Sequence, residues 1–386
     1  LLALRVESQA TRFHPLFDRH KVPARLASGI ASNAIPSICR RAEKKIVSKA
    51  DPHAAARTPE AFLNWKGFIM VYIVIDLEWN QCSKGKTKAV PGMPFEIIEI
   101  GAVKLNENRQ VLSRFQQLVR PKVYKKLHFA PKELLHISER DLKHGIPFPE
   151  AMKQFLSWCA KEGKEYHFCT WGAMDLTELQ RNCHYYGIED CFPNPLFYYD
   201  LQKNFCAEFG EGQSNLSLEH ALERLSLKKG KQFHRALADA EYTAKIFQKL
   251  SMKEVEQYYS VDYYQLPENK KQELHMEFPT YIKHVSRKYE TREKALNDRT
   301  IRTVYCPKCG KRAVRKIRWY TSNMKNYYSL SECMEHGYIR GRLRLRKTDD
   351  GKYYIIKTLR PIQQEEAQEM RHLRERLKKK KKKPKS

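Results

Sequence analysis

The sequence predicts an α/β domain followed by a smaller domain built from short strands. Residues 71–250 alternate apolar, β-branched runs with segments of helical periodicity, which is the pattern of an α/β fold. Residues 306–336 hold two pairs of Cys or His with two residues between the members of each pair, a spacing typical of a tetrahedral zinc site. The charge divides at a similar place, because residues 251–386 carry 35 Lys and Arg against 17 Asp and Glu, whereas residues 70–250 carry 25 against 22. This division predicts a nearly neutral core and a C-terminal part that binds polyanions.

The composition argues against a membrane protein and against a disulfide framework. The chain has 386 residues, enough for more than one domain, and a net charge of +28. No apolar run approaches the ~20 residues that a membrane helix needs. The 10 cysteines are scattered, and one cluster alone has ligand spacing, which favours a reducing compartment. We therefore expect a cytoplasmic protein.

Residues 1–69 differ from the rest of the chain. They are basic, rich in Arg, Ala and Ser, and without periodicity. A mitochondrial transit peptide is one interpretation, but no amphipathic helix stands out and five acidic residues interrupt the segment. We expect instead that the native protein begins at Met70, because Lys66-Gly67 can be encoded by the purine-rich run of a bacterial ribosome-binding site. On that hypothesis the protein is bacterial, and residues 1–69 are an unstructured leader.

The stretch from Tyr72 to Trp79 organises the α/β domain, which we assign to residues 70–250. Its apolar, β-branched sequence predicts a buried strand, yet Asp76 and Glu78 lie near its end. Residues two apart project from the same face of a strand. Two adjacent carboxylates repel each other, and a cation between them offsets the repulsion. The alternative is a strand that frays into a loop, where the two acids have no joint role.

The other elements of the domain are predicted from the two-residue period of strands and the 3.6-residue period of helices. They are strands at 95–103, 114–119 and 168–171, helices at 149–160, 176–186, 216–225 and 236–250, and a further element that begins at 197. Asp175 lies where a strand gives way to a helix, so it can serve as the N-terminal cap. His234 lies in a turn and Asp239 one turn into the following helix, so both can face one cleft. Taken singly, Asp175 is an ordinary cap and His234 an ordinary surface histidine.

Together these residues resemble the pattern of a nuclease family. Four acids and one histidine follow one another in a fixed order: Asp76-x-Glu78, Asp175 and His234-x4-Asp239. This order resembles the DEDDh family of 3′-to-5′ exonucleases, with all five positions filled. The stretches 76–80, 96–101 and 170–172 look most like the KapD-type and histone-mRNA 3′-exonuclease branch. The resemblance covers roughly residues 71–250 and implies a ribonuclease H-like mixed sheet with helices on both faces.

The resemblance also implies a reaction, the two-metal hydrolysis of phosphodiester bonds. It implies that two Mg²⁺ or Mn²⁺ ions are held by four carboxylates, those of Asp76, Glu78, Asp175 and Asp239. Hard cations of this kind prefer oxygen ligands. His234 would be the general base, a role that suits an unperturbed pKa near ~6.5. The alternative is a nuclease-like fold that only binds, and the filled ligand positions argue against it.

Contacts with the nucleic acid are predicted less directly. The resemblance implies that Leu77 borders the pocket of the terminal nucleotide, and Trp79 and Phe233 are candidates for stacking on the last base. The alternative for each is a plain core position. The histone-mRNA branch carries a helical nucleic-acid-binding module ahead of its catalytic domain. Residues 1–69 do not match that module, so stem-loop specificity is not predicted.

The C-terminal third begins with a predicted helical connector at 251–300, in which basic residues recur at near-helical spacing. Residues 301–360 then predict a zinc ribbon whose strands lie at 316–320, 339–346 and 353–359. The expected zinc ligands are Cys306, Cys309, Cys333 and His336, of which the histidine is the weakest assignment. A domain of this size would hardly fold without its metal, so the role of Zn²⁺ is structural.

Nucleic-acid binding is the expected role of the ribbon and of the segment after it. Arg340, Arg342 and Arg344 alternate along one ribbon strand near several aromatic residues, which suits a single strand better than a duplex groove. Residues 361–386 predict an amphipathic helix that runs into a disordered poly-Lys tail from residue 378. Such a tail attracts polyanions with salt-sensitive affinity. A nuclear-import signal is the alternative if the source is a eukaryote.

The sequence as a whole predicts a metal-dependent 3′-to-5′ exonuclease that releases 5′-mononucleotides from single-stranded nucleic acid. RNA is favoured over DNA, on the resemblance alone. Two other functions stay open: a DNA-repair exonuclease, and a binding regulator of the sporulation-control type that acts without cleavage.

Overall fold

The computed structural model describes residues 70–85, 88–129, 137–161, 165–189, 191–211, 213, 215–230, 234–321 and 323–382. The expected leader and Phe233 lie outside these ranges. The first part of the fold contains β1 (Met70–Gln81), β2 (Phe95–Leu105), β3 (Val111–Leu118), α1 (Glu139–Lys143), α2 (Phe148–Ala160), β4 (Glu165–Thr170), α3 (Asp175–Tyr185), β5 (Phe197–Asp200), α4 (Leu201–Phe209), α5 (Leu218–Arg224), α6 (Ala236–Phe247), α7 (Met252–Gln257) and β6 (Ser260–Val261).

These strands form one mixed sheet in the order β3-β2-β1-β4-β5-β6. Strands β1, β4 and β5 run parallel, and the other three join antiparallel. The parallel neighbours are linked by helical connections, as parallel pairing requires. The predicted ribonuclease H-like mixed sheet with flanking helices is confirmed.

Strand β1 is central and buried on both faces, which accounts for its continuous apolar sequence. Ile73, Ile75 and Leu77 pack on one face with residues of α2 and α3. Tyr72 and Val74 pack on the other face with residues of α6. Because strand side chains alternate between faces, the even-numbered acids that follow lie on the α6 side.

Helix α6 approaches the sheet closely at Gly101 of strand β2. Gly101 is paired with Asp76 across β1 and β2. A Cβ atom at this position would lie 2.1 Å from backbone atoms of Ala236 and Leu237, so a residue without a side chain is required. The first turn of α6 therefore rests on the sheet beside the end of β1, and Asp239 belongs to that turn.

The second part of the fold is a six-stranded antiparallel sheet in the order β7-β8-β12-β11-β10-β9. Its elements are β7 (Leu274–Phe278), β8 (Tyr281–Val285), α8 (Arg292–Asn297), α9 (Arg299–Arg302), β9 (Val314–Thr321), β10 (Asn326–Cys333), β11 (Gly337–Lys347), β12 (Tyr353–Pro361) and α10 (Gln364–Lys382).

The prediction of a helical connector over 251–300 is wrong for its central part. Ser260–Val261 is the edge strand of the first sheet, and a hairpin of two strands, 274–278 and 281–285, begins the second. In the first of these two strands buried and exposed residues alternate strictly, which is the period of a strand. Frequent charged and aromatic residues obscured that period in the sequence. Strand β10 was also not predicted.

The two faces of the second sheet have different neighbours. On one face Leu343 and Leu345 pack with Ala295 and Ile301 from α8 and α9, and we call this the covered face. On the opposite face Leu274, Met276, Phe278 and Val285 join the core that contains residues of α6. The two sheets therefore share a hydrophobic core along the β7–β8 edge.

Helix α10 lies over the far end of that opposite face. Ala367 and Met370 pack there with Ile317 and Leu330. The helix continues to Lys382, so the predicted disordered tail is wrong for residues 378–382. Lysine has a high helix propensity, and the buried residues upstream anchor the helix, which offsets repulsion among the lysines.

Among the helices of the described residues, none is long and apolar enough to cross a membrane.

Candidate active site and Cys3His cluster

Three carboxylates from two elements meet on the α6 side of the first sheet. Asp76 and Glu78 come from the end of β1, and Asp239 from the first turn of α6. Their oxygen atoms lie within 4.8 Å of one another. Asp239 is buried and the other two are partly exposed, so the cluster is accessible from one side.

Burial and mutual repulsion raise the pKa values of these carboxyls. The pKa of Asp76 lies well above its usual value, first because of burial and then because of the charges of Asp175 and Glu78. The pKa of Glu78 is raised by burial and then by Asp239. Burial raises the pKa of Asp239 to about 7. Without a cation the group resists full ionisation at neutral pH.

The donor set fits a divalent ion. Asp239 Oδ1 is buried and has no hydrogen-bond partner among the described residues, whereas its Oδ2 accepts the backbone N–H of His234 at 3.1 Å. A buried carboxylate oxygen without a partner is unfavourable. A cation that prefers oxygen ligands, such as Mg²⁺ or Mn²⁺, would supply the missing interaction and offset the repulsion.

Asp175 is the first residue of α3 and is buried beside this cluster. Its carboxylate accepts hydrogen bonds from backbone amides, that of Leu77 among them, while burial raises its pKa to about 7. The predicted role as helix cap is wrong, because the N-cap residue is Met174 and the carboxylate bonds to strand β1 instead. Asp175 is outside the group of three, yet its charge contributes to the raised pKa of Asp76.

His234 lies in the turn just before α6 and is exposed. Its φ of 63° is in the left-handed region, which non-glycine residues rarely adopt and which is common at functional sites. The hydrogen bond from its N–H to Asp239 fastens the turn to the carboxylate cluster. The backbone of His234 is thereby held next to Asp239.

An ion pair between half-buried Arg235 and buried Glu99, which the sequence did not predict, holds the same turn. Arg235 donates to both carboxylate oxygens of Glu99, at 2.8 and 3.0 Å. Glu99 is fully buried, is paired with Glu78 across β1 and β2, and also accepts the side chain of Gln116 and the N–H of Ala236. The sequence signal for this pair was Glu99, an acidic residue in the middle of an otherwise apolar strand.

Two further buried polar residues, also missed, fix the loop after β3. Glu96 accepts the N–H groups of three consecutive residues, from Lys122 to Tyr124. Asn80 donates to the carbonyl of Tyr124 and accepts the N–H of His128. Asn80 belongs to β1, which carries Asp76 and Glu78, and Glu96 belongs to the paired strand β2, so the basic loop has a fixed position relative to the cluster.

The predicted nucleotide contacts are located as follows. The side chain of Leu77 is buried in the core between the sheet and helices α2 and α3. Trp79 is half-buried, and its ring centroid lies 5.7 Å from that of Phe95. For both residues a contact with a nucleotide stays a prediction.

The four predicted zinc ligands come together at one end of the second sheet. Their ligand atoms lie within 4.8 Å of one another: those of Cys306, Cys309, Cys333 and His336. Cys333 Sγ lies 3.7 Å from Cys309 Sγ and 3.7 Å from His336 Nδ1. These separations are far longer than a disulfide of ~2.0 Å and match ligands ~2.3 Å from one tetrahedral zinc ion. The hydrogen bond with His336 is the largest cause that lowers the pKa of Cys333, to about 6.

The three predicted arginine contacts differ in their surroundings. Arg340 donates to Glu366 of α10 at 2.7 Å. Arg342 donates to the Asn326 side chain at 3.1 Å. Arg344 is half-buried, and its pKa is lowered by burial and by its neighbours, first among them Arg346.

Comparison with known proteins agrees with this geometry. The family model RNase_T, described as "Exonuclease", matches residues 73–247. The Bacillus subtilis (strain 168) protein named "Probable 3'-5' exonuclease KapD" is 31% identical over 176 residues, which is 45% of this chain and 82% of that protein.

Two solved structures resemble the same part of the chain at lower identity. A structure described as "3'-end specific recognition of histone mRNA stem-loop by 3'-exonuclease" is 22% identical with a TM-score of 0.41, over 48% of this chain and 82% of the other. The nuclease domain of 3'hExo bound to rAMP is 21% identical with a TM-score of 0.42, over 51% of this chain and 98% of the other. The family model and the KapD match carry the assignment: the chain belongs to the DEDDh family of 3′-to-5′ exonucleases, two-metal phosphodiesterases that use divalent ions.

Proposed function

We propose that this protein removes nucleotides from the 3′ end of single-stranded nucleic acid, RNA in preference to DNA, and releases 5′-mononucleotides. The observation that carries the proposal is the cluster of three carboxylates whose oxygens lie within 4.8 Å of one another. Its raised pKa values and the unpartnered Asp239 oxygen support a site built for cations.

Asp76, Glu78, Asp175 and Asp239 would hold the two ions, Mg²⁺ or Mn²⁺. When bound, two such metal ions supply hydroxide at neutral pH and stabilise the charge on the leaving 3′-oxygen. Asp175 is assigned to the set because its charge acts on Asp76, although it lies outside the tightest group. Leu77, Trp79 and Phe233 are proposed to border the terminal nucleotide.

His234 is the proposed general base. It lies in the exposed turn whose N–H is bonded to Asp239, so its imidazole can take a proton from a water molecule at the cluster. The Arg235–Glu99 pair supports this role, because it restrains the residue next to His234.

A structural zinc ion is the proposed occupant of the Cys3His cluster. Zinc would tie the turn around Cys306 and Cys309 to the β10–β11 hairpin, which contains Cys333 and His336. Two turns of the same kind support this, since Gly310 and Gly337 follow the two ligand pairs with φ of 67° and 75°. The free cysteines in the described part of the chain suit a reducing cytoplasm.

The preference for RNA rests on the sequence resemblance to the KapD-type and histone-mRNA branch. It is tested by competition between RNA and DNA oligonucleotides of one sequence in the same reaction. Faster shortening of RNA supports the proposal. Faster shortening of DNA would favour a repair exonuclease instead, and binding without shortening of either strand would favour a regulator.

A further inference from the structure

Four basic side chains line the middle of the second sheet on the face opposite to α8 and α9. Arg342, Arg344 and Arg346 alternate along β11, so they project from one face. Arg342 is paired with Thr358, and Thr358 with Lys283 of β8, so the lysine lies in the same cross-strand row. We call these four residues the arginine face.

The arginine face has no counter-charge of its own. In the described part of the chain, none of its four members has a carboxylate within 4.0 Å, although Arg340 on the same strand is paired with Glu366. The charges also act on each other: burial and then Arg344 lower the pKa of Lys283 to about 8. Cations crowded in this way are unfavourable unless an anion accompanies them.

Two acidic residues whose charges act in this region, Asp200 and Asp262, have direct partners elsewhere. Asp200 caps α4 through the N–H of Lys203 and also pairs with the Lys203 side chain at 3.2 Å. Asp262 accepts hydrogen bonds from Thr177 and Gln180. The described residues therefore place no carboxylate in direct contact with the four cations, which leaves them available to a bound anion.

Two links connect the arginine face to the active site. Strand β5 ends at Asp200, which is paired with Thr170 of β4 just before Asp175, and Tyr281 of β8 packs in the same core as Tyr199 of β5. The β11–β12 turn is also tied to α3, the helix that begins with Asp175, through an ion pair between Asp349 and Arg181. A strand whose 3′ end lies at the carboxylates can thus continue onto this face.

We propose that the arginine face binds the phosphates of the single strand 5′ to the cleaved bond and so guides the 3′ end into the active site. This inference rests on the proposed exonuclease function. Tyr354 is paired with Arg346, and both Tyr354 and Tyr263 pack partly against the shared core and leave part of the side chain exposed for an unpaired base. The predicted contact thus extends from single arginines to a row of cations across strands β8, β12 and β11. This row spans about 10 Å of the sheet at the usual strand spacing.

The test compares a long substrate with one too small to reach the arginine face. The first is a single-stranded 20-nucleotide RNA, and the second is thymidine 5′-p-nitrophenyl phosphate, both assayed with Mn²⁺ and with Mg²⁺. The variants are Arg344→Ala, Arg342→Ala and the charge-preserving Arg344→Lys. Arg299→Ala is the matched control, because it removes one exposed positive charge from α9 on the covered face. Circular dichroism and zinc content establish that each variant is folded.

The proposal predicts that Arg344→Ala and Arg342→Ala lower kcat/KM at least ten-fold more on the 20-mer than on the ester. Arg344→Lys should recover part of the activity, and Arg299→Ala should show no such difference. The salt dependence of 20-mer binding should weaken by about 0.7 in log–log slope for each phosphate that the variant no longer neutralises. Equal effects of the arginine variants on both substrates, or no effect on the 20-mer, would overturn the proposal that the arginine face binds the strand. If the wild-type protein cleaves neither substrate, the exonuclease proposal itself fails.

Discussion

Gly101 lies directly opposite Asp76 in the β1–β2 pair, and the backbone of Ala236 occupies the space that a side chain at residue 101 would need. This close approach brings the start of α6 onto the sheet in the same turn that carries Asp239. The carboxylate from the helix can therefore join the two from the strand. The geometry of the cluster depends on a residue that contributes no side chain to it.

The first prediction concerns this close approach. Gly101→Ala should destabilise the fold by about 1–3 kcal/mol, because the added methyl group meets backbone that must move as a unit. Displacement of α6 should also lower nuclease activity. Chemical denaturation and cleavage rates measure the two effects. Gly230→Ala is the control, since a Cβ atom there meets nothing within 4 Å. Unchanged stability and activity in Gly101→Ala would contradict the described packing.

The second prediction separates function from stability at the cluster. Asp239→Asn should lower cleavage by several orders of magnitude, because it removes a charged ligand. In the absence of Mg²⁺ and Mn²⁺ the same variant should unfold at a higher temperature than the wild type, because one repelling buried charge is gone. Thermal unfolding and single-turnover cleavage test both parts. Wild-type cleavage by Asp239→Asn would remove this residue from the ligand set.

The third prediction is a pH dependence. Burial raises the pKa of Asp175 and of Asp239 from 3.8 to about 7 in the folded protein. The folded state therefore binds more protons than the unfolded chain between these values, so stability without divalent ions should fall as pH rises from about 4 to about 7. Mg²⁺ should then raise Tm more at pH 8 than at pH 5. An equal increase at both values would argue against ion binding by these carboxyls.

The fourth prediction concerns the Cys3His cluster. The wild-type protein should contain one zinc ion per chain, and Cys309→Ser should lose it. The second sheet should then be destabilised, because the proposed ion would close the turn at 306–310 against the β10–β11 hairpin. Elemental analysis and hydrogen exchange of β9 to β11 measure this. Ser251→Ala, far from the cluster in sequence, serves as the control. Full protection of these strands without zinc would contradict a structural role.

The fifth prediction concerns Arg235 as a positioning residue. Arg235→Ala should lower kcat by about 10- to 100-fold with little change in KM, because the turn that carries His234 loses its restraint. Arg235→Lys should recover part of the rate. A merely structural role would lower Tm and leave the pH profile of kcat unchanged. The positioning role predicts that the acidic or the basic limb of the pH profile of kcat shifts.

The sequence predicted that Asp76, Glu78 and Asp239 come together, because their order along the chain resembles a family pattern. It predicted the cluster of cysteines and histidine from the two-residue spacing within each pair. It did not predict the Arg235–Glu99 pair, whose members are far apart in sequence and meet only after α6 has packed on β2. The β7–β8 hairpin was missed because its period of two is short and interrupted by charge.

The arginine face illustrates the same limit. Alternating arginines on one strand were visible in the sequence, but the sequence could not show that Arg340 is neutralised by Glu366. Nor could it show that Lys283, predicted on a helix, joins Arg342 in one row across the sheet. Cross-strand neighbours depend on register, which no local pattern specifies.

Exonuclease activity is tested by a cleavage time course on 5′-labelled single-stranded RNA and DNA, with Mg²⁺, with Mn²⁺ and with EDTA, beside the Asp239→Asn protein. The proposed activity predicts a ladder that shortens from the 3′ end, requires a divalent ion and is absent in the variant. Full-length strands throughout, from protein shown to be folded, would contradict the proposed exonuclease activity.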